Sequence, residues 1–285
     1  MRSRTAHLLF LVLVLLSAGF LQLSSVEAQK PIAANTRPFE PIEELFYEAE
    51  FSRSLLRGIN VAELTLRANR TPKSDADKRS EEKPYLLTFN ADVTSKGFFA
   101  RLFNIHFRER VESTVEPKTF TIQRTTIHDE VGKRVRVTET TYDRAQGKMA
   151  WTSRDPNNPE GEPRQAITDF SGQLQDVLSA IYFIRTQKLQ VGKSFDVFIG
   201  DGGHVYKVPV HVLEKKKMKT PLGRLKVLRV RPDLFGPDSL IDKADGEFDL
   251  WITDDERHIP VSVRVKTDYG TFDIKLKRAV KTPPG

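Results

Sequence analysis

Three groups of side chains carry types and spacings that bear on chemistry. Histidine comes first. Downstream of residue 28 there are five, His106, His128, His204, His211 and His258. No two sit at the i, i+4 or i, i+2 spacing that aims two imidazoles at one metal. His204 and His211 are seven apart, which puts them on opposite faces of a strand. No metal site and no cofactor are expected. The second group is Asp254-Asp255-Glu256 with His258 close by. Adjacent carboxylates hold Ca²⁺ or divide acid and base roles, so Asp254, Asp255 and His258 are what an envelope hydrolase would use. They lie between Phe248–Thr253 and Ile259-Pro260-Val261, however, where an Asp side chain accepts hydrogen bonds from turn amides. A turn is the expectation, and an enzyme is not. The third group is Lys215, Lys216, Lys217 and Lys219, expected at a solvated hairpin tip between a strand ending near Leu213 and one starting near Leu225. Such a cluster suits an anionic surface. No nucleic-acid partner is expected, because no stacking aromatics accompany the lysines.

Signatures of nucleophilic and phosphate chemistry are missing. There is no Gly-x-Ser-x-Gly elbow, and Gly200-Asp201-Gly202-Gly203 joins two strands instead of opening a helix. Aromatic residues are the remaining candidates. With eighteen phenylalanines against two tryptophans, Phe98, Phe99, Tyr182 and Trp251 are the residues that would line an apolar ligand cavity if they do not simply fill a core.

The elements that must position these groups read as β-structure. Tyr85–Val93, Phe195–Ile199, Tyr206–Val212, Ile259–Val265 and Phe272–Leu276 alternate apolar and polar with period two, as half-buried antiparallel strands do. Between Ile59-Val61 and Leu64-Leu66 the alternation slips by one residue, which predicts a β-bulge and a bend in the sheet. One segment follows the other period: Leu174, Val177, Leu178, Ile181 and Ile184 predict a helix over 171–186, with Ser171 as its cap and Gly192 closing the region. The stretches 70–83 and 154–164 are charged and poor in apolar residues, and read as long loops. The fold expected is mostly β: a single strongly curved antiparallel sheet of about ten to twelve strands, a roll or incomplete barrel, with one amphipathic helix packed on its inner face.

Composition sets the outer bounds. The chain has 285 residues, 39% of them hydrophobic, and no cysteine. That apolar share excludes a disordered chain, and the missing thiols exclude disulfides, thiolate metal sites and a cysteine nucleophile. Arg2 and Arg4, the apolar run Leu8–Phe20 and Val26-Glu27-Ala28 read as a cleaved secretory signal over residues 1–28, too short for a transmembrane anchor. Loss of Arg2, Arg4 and Glu27 takes the net charge from +7 to +6. An extended leader over 29–44, one β-rich domain over 45–280 and a tail over 281–285 complete the division. The expected location is the periplasm or the exterior.

Several landmarks together are similar to a known family. Glu43-Glu44-Leu45-Phe46-Tyr47, Gly58-Ile59-Asn60-Val61-Ala62, Ser95-Lys96-Gly97-Phe98-Phe99, Gln175–Arg185, Val191-Gly192-Lys193 and Leu250–Val261 occur in order along the chain. In this it resembles the secreted bacterial family designated domain of unknown function 3108. The resemblance implies an exported β-rich domain with a curved sheet and a helix, and carries over no activity and no catalytic residue. The function expected is a non-enzymatic envelope module that binds an apolar or amphiphilic ligand, a lipid, or another envelope component. The alternative is a scaffolding protein of the envelope with no small-molecule ligand.

Overall fold

The computed structural model describes Phe39 and residues 42–72, 85–97, 106–242 and 246–282. The expected signal peptide, most of the leader, Phe98 and Phe99, and the last three residues lie outside these. Fifteen strands form one sheet in the order β8-β7-β6-β5-β4-β3-β2-β1-β15-β14-β13-β12-β11-β10-β9. One arm holds β1 (Ile42–Arg53), β2 (Leu56–Pro72), β3 (Tyr85–Ser95), β4 (Phe107–Glu116), β5 (Thr121–Val131), β6 (Arg134–Asp143), β7 (Lys148–Arg154) and β8 (Arg164–Asp169). The other holds β9 (Leu174–Gln175), β10 (Ser194–Asp201), β11 (His204–Thr220), β12 (Gly223–Pro232), β13 (Gly246–Thr253), β14 (Pro260–Thr267) and β15 (Gly270–Thr282). All neighbours are antiparallel except β9 and β10.

The sheet cannot be flat. Laid out, fifteen strands would span about 65 Å at roughly 4.8 Å per neighbour. Its two edge strands, β8 and β9, are nevertheless joined by residues 170–173 alone, and such a connection reaches at most about 18 Å. The sheet therefore rolls until its edges approach without pairing, giving an unclosed barrel. Thr168 Oγ1 on β8 donates to Gly203 O in the turn after β10, and Gln173 Nε2 donates to Phe120 O at 3.1 Å. These bonds hold the seam. The bulge predicted from the slipped alternation is present: Ala49 faces Ala62 and Glu50 faces Asn60, leaving Val61 as the extra residue.

The helix, α1 (Val177–Thr186), occupies the hollow. It begins six residues later than expected, because Leu174–Gln175 pair with β10 as a strand and the cap is Asp176, not Ser171. Asp176 accepts from Ser179 N at 2.6 Å, and Asp176 N donates to Ser179 Oγ at 3.0 Å. Leu178, Ala180, Tyr182, Phe183 and Ile184 are all buried. Only Val177 and Ile181 are partly open, so the helix is enclosed on nearly every side instead of presenting one apolar stripe. β1 starts at Ile42, β15 runs to Thr282, and Phe39 is in the core at 1% exposure.

Fifteen strands exceed the ten to twelve expected, and the surplus lies in β4–β8. Their inward positions include Glu109, Ser113, Thr125, Asp129, Thr140 and Ser153, all buried. One half of the roll thus has a polar lining, which hides the alternation from a hydrophobicity reading.

Candidate functional site

The last turn of α1 makes the deepest charged contact in the described residues. Arg185 and Glu43 are each 1% exposed and meet in a two-pronged ion pair, Nη1–Oε1 2.7 Å and Nη2–Oε2 2.9 Å. Arg185 Nη2 also donates to Arg257 O at 3.1 Å, and its guanidinium lies 5.2 Å from the Tyr182 ring and 5.5 Å from the Phe39 ring. Burial pulls the Arg185 pKa down, but the Glu43 carboxylate and its hydrogen bonds outweigh this, and the group is held above its ordinary value. His258 Nδ1 donates to Arg185 O at 2.7 Å, satisfying a carbonyl that the helix end leaves open. Tyr47 OH donates to Pro260 O at 2.9 Å. This clamp joins β1, α1 and the β13–β14 turn. Every residue in it except Phe39 belongs to the sequence landmarks above.

That geometry decides the acidic turn. Thr253 Oγ1 donates to Asp255 Oδ1 at 2.7 Å, as does Arg257 N at 3.1 Å. Burial raises the Asp255 pKa, but the bonds from Arg257 and Thr253 outweigh it and keep the carboxyl below the usual range. Asp254 pairs with Lys215, and His258 is turned toward the helix. Asp254, Asp255 and His258 are therefore committed to three different partners, as a turn requires.

The aromatic candidates separate. Tyr182 is fully buried and stacked on Phe89 at 3.9 Å, with Phe39 at 5.2 Å, and Phe120 and Phe183 continue the cluster. It fills the hollow. Trp251 alternates with Leu250 and Ile252, which face the core, so it lies on the convex side beneath Lys216, whose Nζ is 3.5 Å from the ring centroid. Tyr182 and Trp251 are on opposite sides of the sheet and line no common cavity. Elsewhere, an open depression of 650 Å³ lies over β5 and β6, lined by residues such as Thr121, Gln123, Asp143 and Arg144.

In the polar half of the roll, the helix cap is the centre. The Asp176 carboxylate accepts from the hydroxyls of Ser113 and Thr125, which face each other on β4 and β5. Two registers further along, Glu109 faces Asp129. Burial, then the charges of Asp129 and Asp201, push Glu109 well above the usual carboxyl range. Burial, with Asp176 adding to it, pushes Asp201 up to about 8 against the hydrogen bond from Gly202 N–H.

The lysines do not form a hairpin tip. β11 runs on to Thr220, and the tip is Pro221–Leu222. Beyond Val212, which still bonds the backbone of Gly192 and Lys193, strand β11 has no partner on its β10 side, and before Lys226, whose carbonyl accepts from Asp254 N–H, strand β12 has none on its β13 side. Residues 213–225 therefore project as a two-stranded ribbon, with Lys226 at its root. Lys215 faces Leu228, Lys217 faces Lys226, and Lys219 faces Arg224. These positions share the face of Leu228, which is core, so five exposed cations lie in a block that continues the concave side. Lys216 points the other way, onto Trp251, and leaves the block. Arg224 and Lys226 are the members that the sequence reading missed; the hairpin at Pro221-Leu222-Gly223 pairs residues whose numbers sum to 443, which would have placed them.

A third arrangement joins residues distant in sequence. Ser194 Oγ is 2.8 Å from His211 Nδ1, and His211 Nε2 is 2.9 Å from Asp233 Oδ2. With Nε2–H donating to Asp233, Nδ1 accepts from the serine hydroxyl. The row lies on the open face of β10–β12, with the His211 and Asp233 side chains 35% and 51% exposed. Water screens the carboxylate there, and Ser194 opens a strand instead of a strained elbow.

Fold and clamp together define a class: a rolled, unclosed β-sheet built around a buried helix. The family described as "Protein of unknown function (DUF3108)" matches residues 47–277, and the chain belongs to it. Among solved structures it is similar to a β-barrel-like protein of domain of unknown function DUF1849 from Brucella abortus, with TM-score 0.52 and 8% identity over 85% of this chain and 98% of that one. That likeness concerns the fold. No curated protein matches the sequence.

Proposed function

We propose that this protein is an exported, non-enzymatic module of the cell envelope that captures an acidic macromolecular partner through the β11–β12 ribbon. One observation carries the reading: Lys217 directly faces Lys226 and Lys219 directly faces Arg224. Like charges opposed across a strand pair cost about 0.2–1 kcal/mol each, and nothing in the packing requires them. A polyanion laid along the ribbon turns that repulsion into attraction and releases counterions. Capture on the outside also accords with a hollow whose apolar half is filled by Phe39, Phe89, Phe120 and Tyr182.

Immobilised polyglutamate and polyphosphate are suitable probes. Binding should fall about a hundredfold between 50 and 200 mM salt if four cations engage. Changing Lys217, Lys219, Arg224 and Lys226 together to Glu should abolish it while the urea midpoint stays within a few tenths of a molar, since one set of like-charge pairs replaces another. Retention of polyanion by that variant would refute the proposal.

The Ser194–His211–Asp233 row supports a second reading, a surface hydrolase of small activated esters. A fluorophosphonate probe distinguishes the two. The binding-module reading expects no labelling above that of a Ser194→Ala variant, whereas labelling confined to Ser194 would favour the hydrolase.

A further inference from the structure

At the opposite end of the strands, the β1–β2 hairpin closes in an unusual turn. Arg53 pairs with Leu56, leaving Ser54 and Leu55 as the two turn residues. Ser54 takes φ 49, a conformation for which glycine or asparagine is the ordinary choice. Leu55 is 96% exposed and Leu56 44% exposed, so neither leucine contributes to the core. Loop tips of this kind are normally polar. The tip is also firmly built. Gly58, at φ 62, forms a second bulge in β2, and its N–H donates to Ser52 Oγ at 2.9 Å. Arg53 and Arg57 flank the two leucines, both exposed, and among the described residues neither has an ion-pair partner.

We propose that this Arg53-Ser54-Leu55-Leu56-Arg57 tip is a membrane finger, which sinks Leu55 and Leu56 into the interface of a bilayer while the two guanidinium groups meet anionic phosphates. The order cation–leucine–leucine–cation matches the depth profile of such an interface: apolar carbon lies just below the headgroups, and long basic side chains reach back to them. A docking pocket on a protein would reward the leucines equally, but not two unpaired cations spaced on either side of them. The finger is independent of the ribbon, which leaves the other end of the sheet free for its partner.

The chain has no cysteine, so a Leu55→Cys variant carries a single environment-sensitive fluorophore at the tip. With the processed protein and vesicles of equimolar phosphatidylglycerol and phosphatidylcholine, its emission should shift to the blue and intensify. Leu55→Asp with Leu56→Asp should lower vesicle partition about tenfold or more. Arg53→Gln with Arg57→Gln should lower it several-fold on these vesicles only, with no change on pure phosphatidylcholine. All four side chains are exposed, so the urea midpoint should stay put in both variants. An unshifted fluorophore, or equal partition of the aspartate variant, would overturn the proposal. So would vesicle binding lost only on reversal of the ribbon charges, which leaves the ribbon reading intact. Concentration-dependent dimerisation abolished by the aspartates, without vesicle binding, would assign the tip to a second copy of the chain instead.

Discussion

Replacing Arg185 by Met lowers the unfolding free energy by about 3–5 kcal/mol, the cost of leaving one member of a buried ion pair alone. The Glu43 carboxylate then has no cation in a site where both partners were 1% exposed, and the Arg257 carbonyl loses its donor. For a domain of this size the loss corresponds to roughly 6–20 °C in Tm. Glu43→Leu should cost a similar amount, since it strands the guanidinium. The pair Glu43→Leu with Arg185→Met should cost clearly less than the two single changes together, because no charge remains buried. Urea denaturation of the four proteins closes the cycle. A coupling below about 0.5 kcal/mol would mean that water reaches the pair and that the clamp is not what holds α1 in the hollow.

The route from sequence to this clamp was half open. Glu43, Tyr47, Arg185, His258 and Pro260 all lie in segments that carried the family resemblance, yet nothing in their spacing joins residues 142 apart. Where burial is apolar, the pattern was readable. β10, β11, β14 and β15 alternate cleanly, and the doubled burial of Val61 and Ala62 betrays its bulge. β4 to β8 were silent because Glu109, Ser113, Thr125 and Asp129 occupy inward positions and read as surface. Leu174 keeps the helical spacing although β10 claims it as a strand, so periodicity alone places the helix start too early.

The same physics explains the candidate sites. Lys215–Lys219 look like a loop when charge is taken as the signal, whereas a projecting ribbon has two solvated faces and needs no apolar alternation. The Ser194–His211 pairing was in principle derivable: a two-residue turn at Gly202–Gly203 fixes the register, and Asp201 facing His204 makes Ser194 face His211. Asp233 enters only through the return of β12, which no local rule supplies.

The polar half of the roll should make stability fall as pH rises. Burial pushes the Asp201 carboxyl up to about 8, against an ordinary value near 4 in the unfolded chain. Glu109 is raised by the same cause and by its neighbours Asp129 and Asp201. The folded state therefore holds protons that the unfolded state releases. Their contribution is complete below the unfolded pKa and is lost as pH climbs through the folded one, between about 4 and 8 for Asp201. Asp201→Asn removes that loss while keeping an acceptor for Gly202 N–H. Its urea midpoint should match that of the parent at pH 4.5 and exceed it at pH 8, by on the order of a few kcal/mol of unfolding free energy. Glu109→Gln should act in the same direction and combine less than additively, because the charge of Asp201 is part of what raises Glu109. Parallel pH profiles for parent and variants would show that the carboxyls are ionised and solvated in the folded protein, and that this half of the roll is open to water.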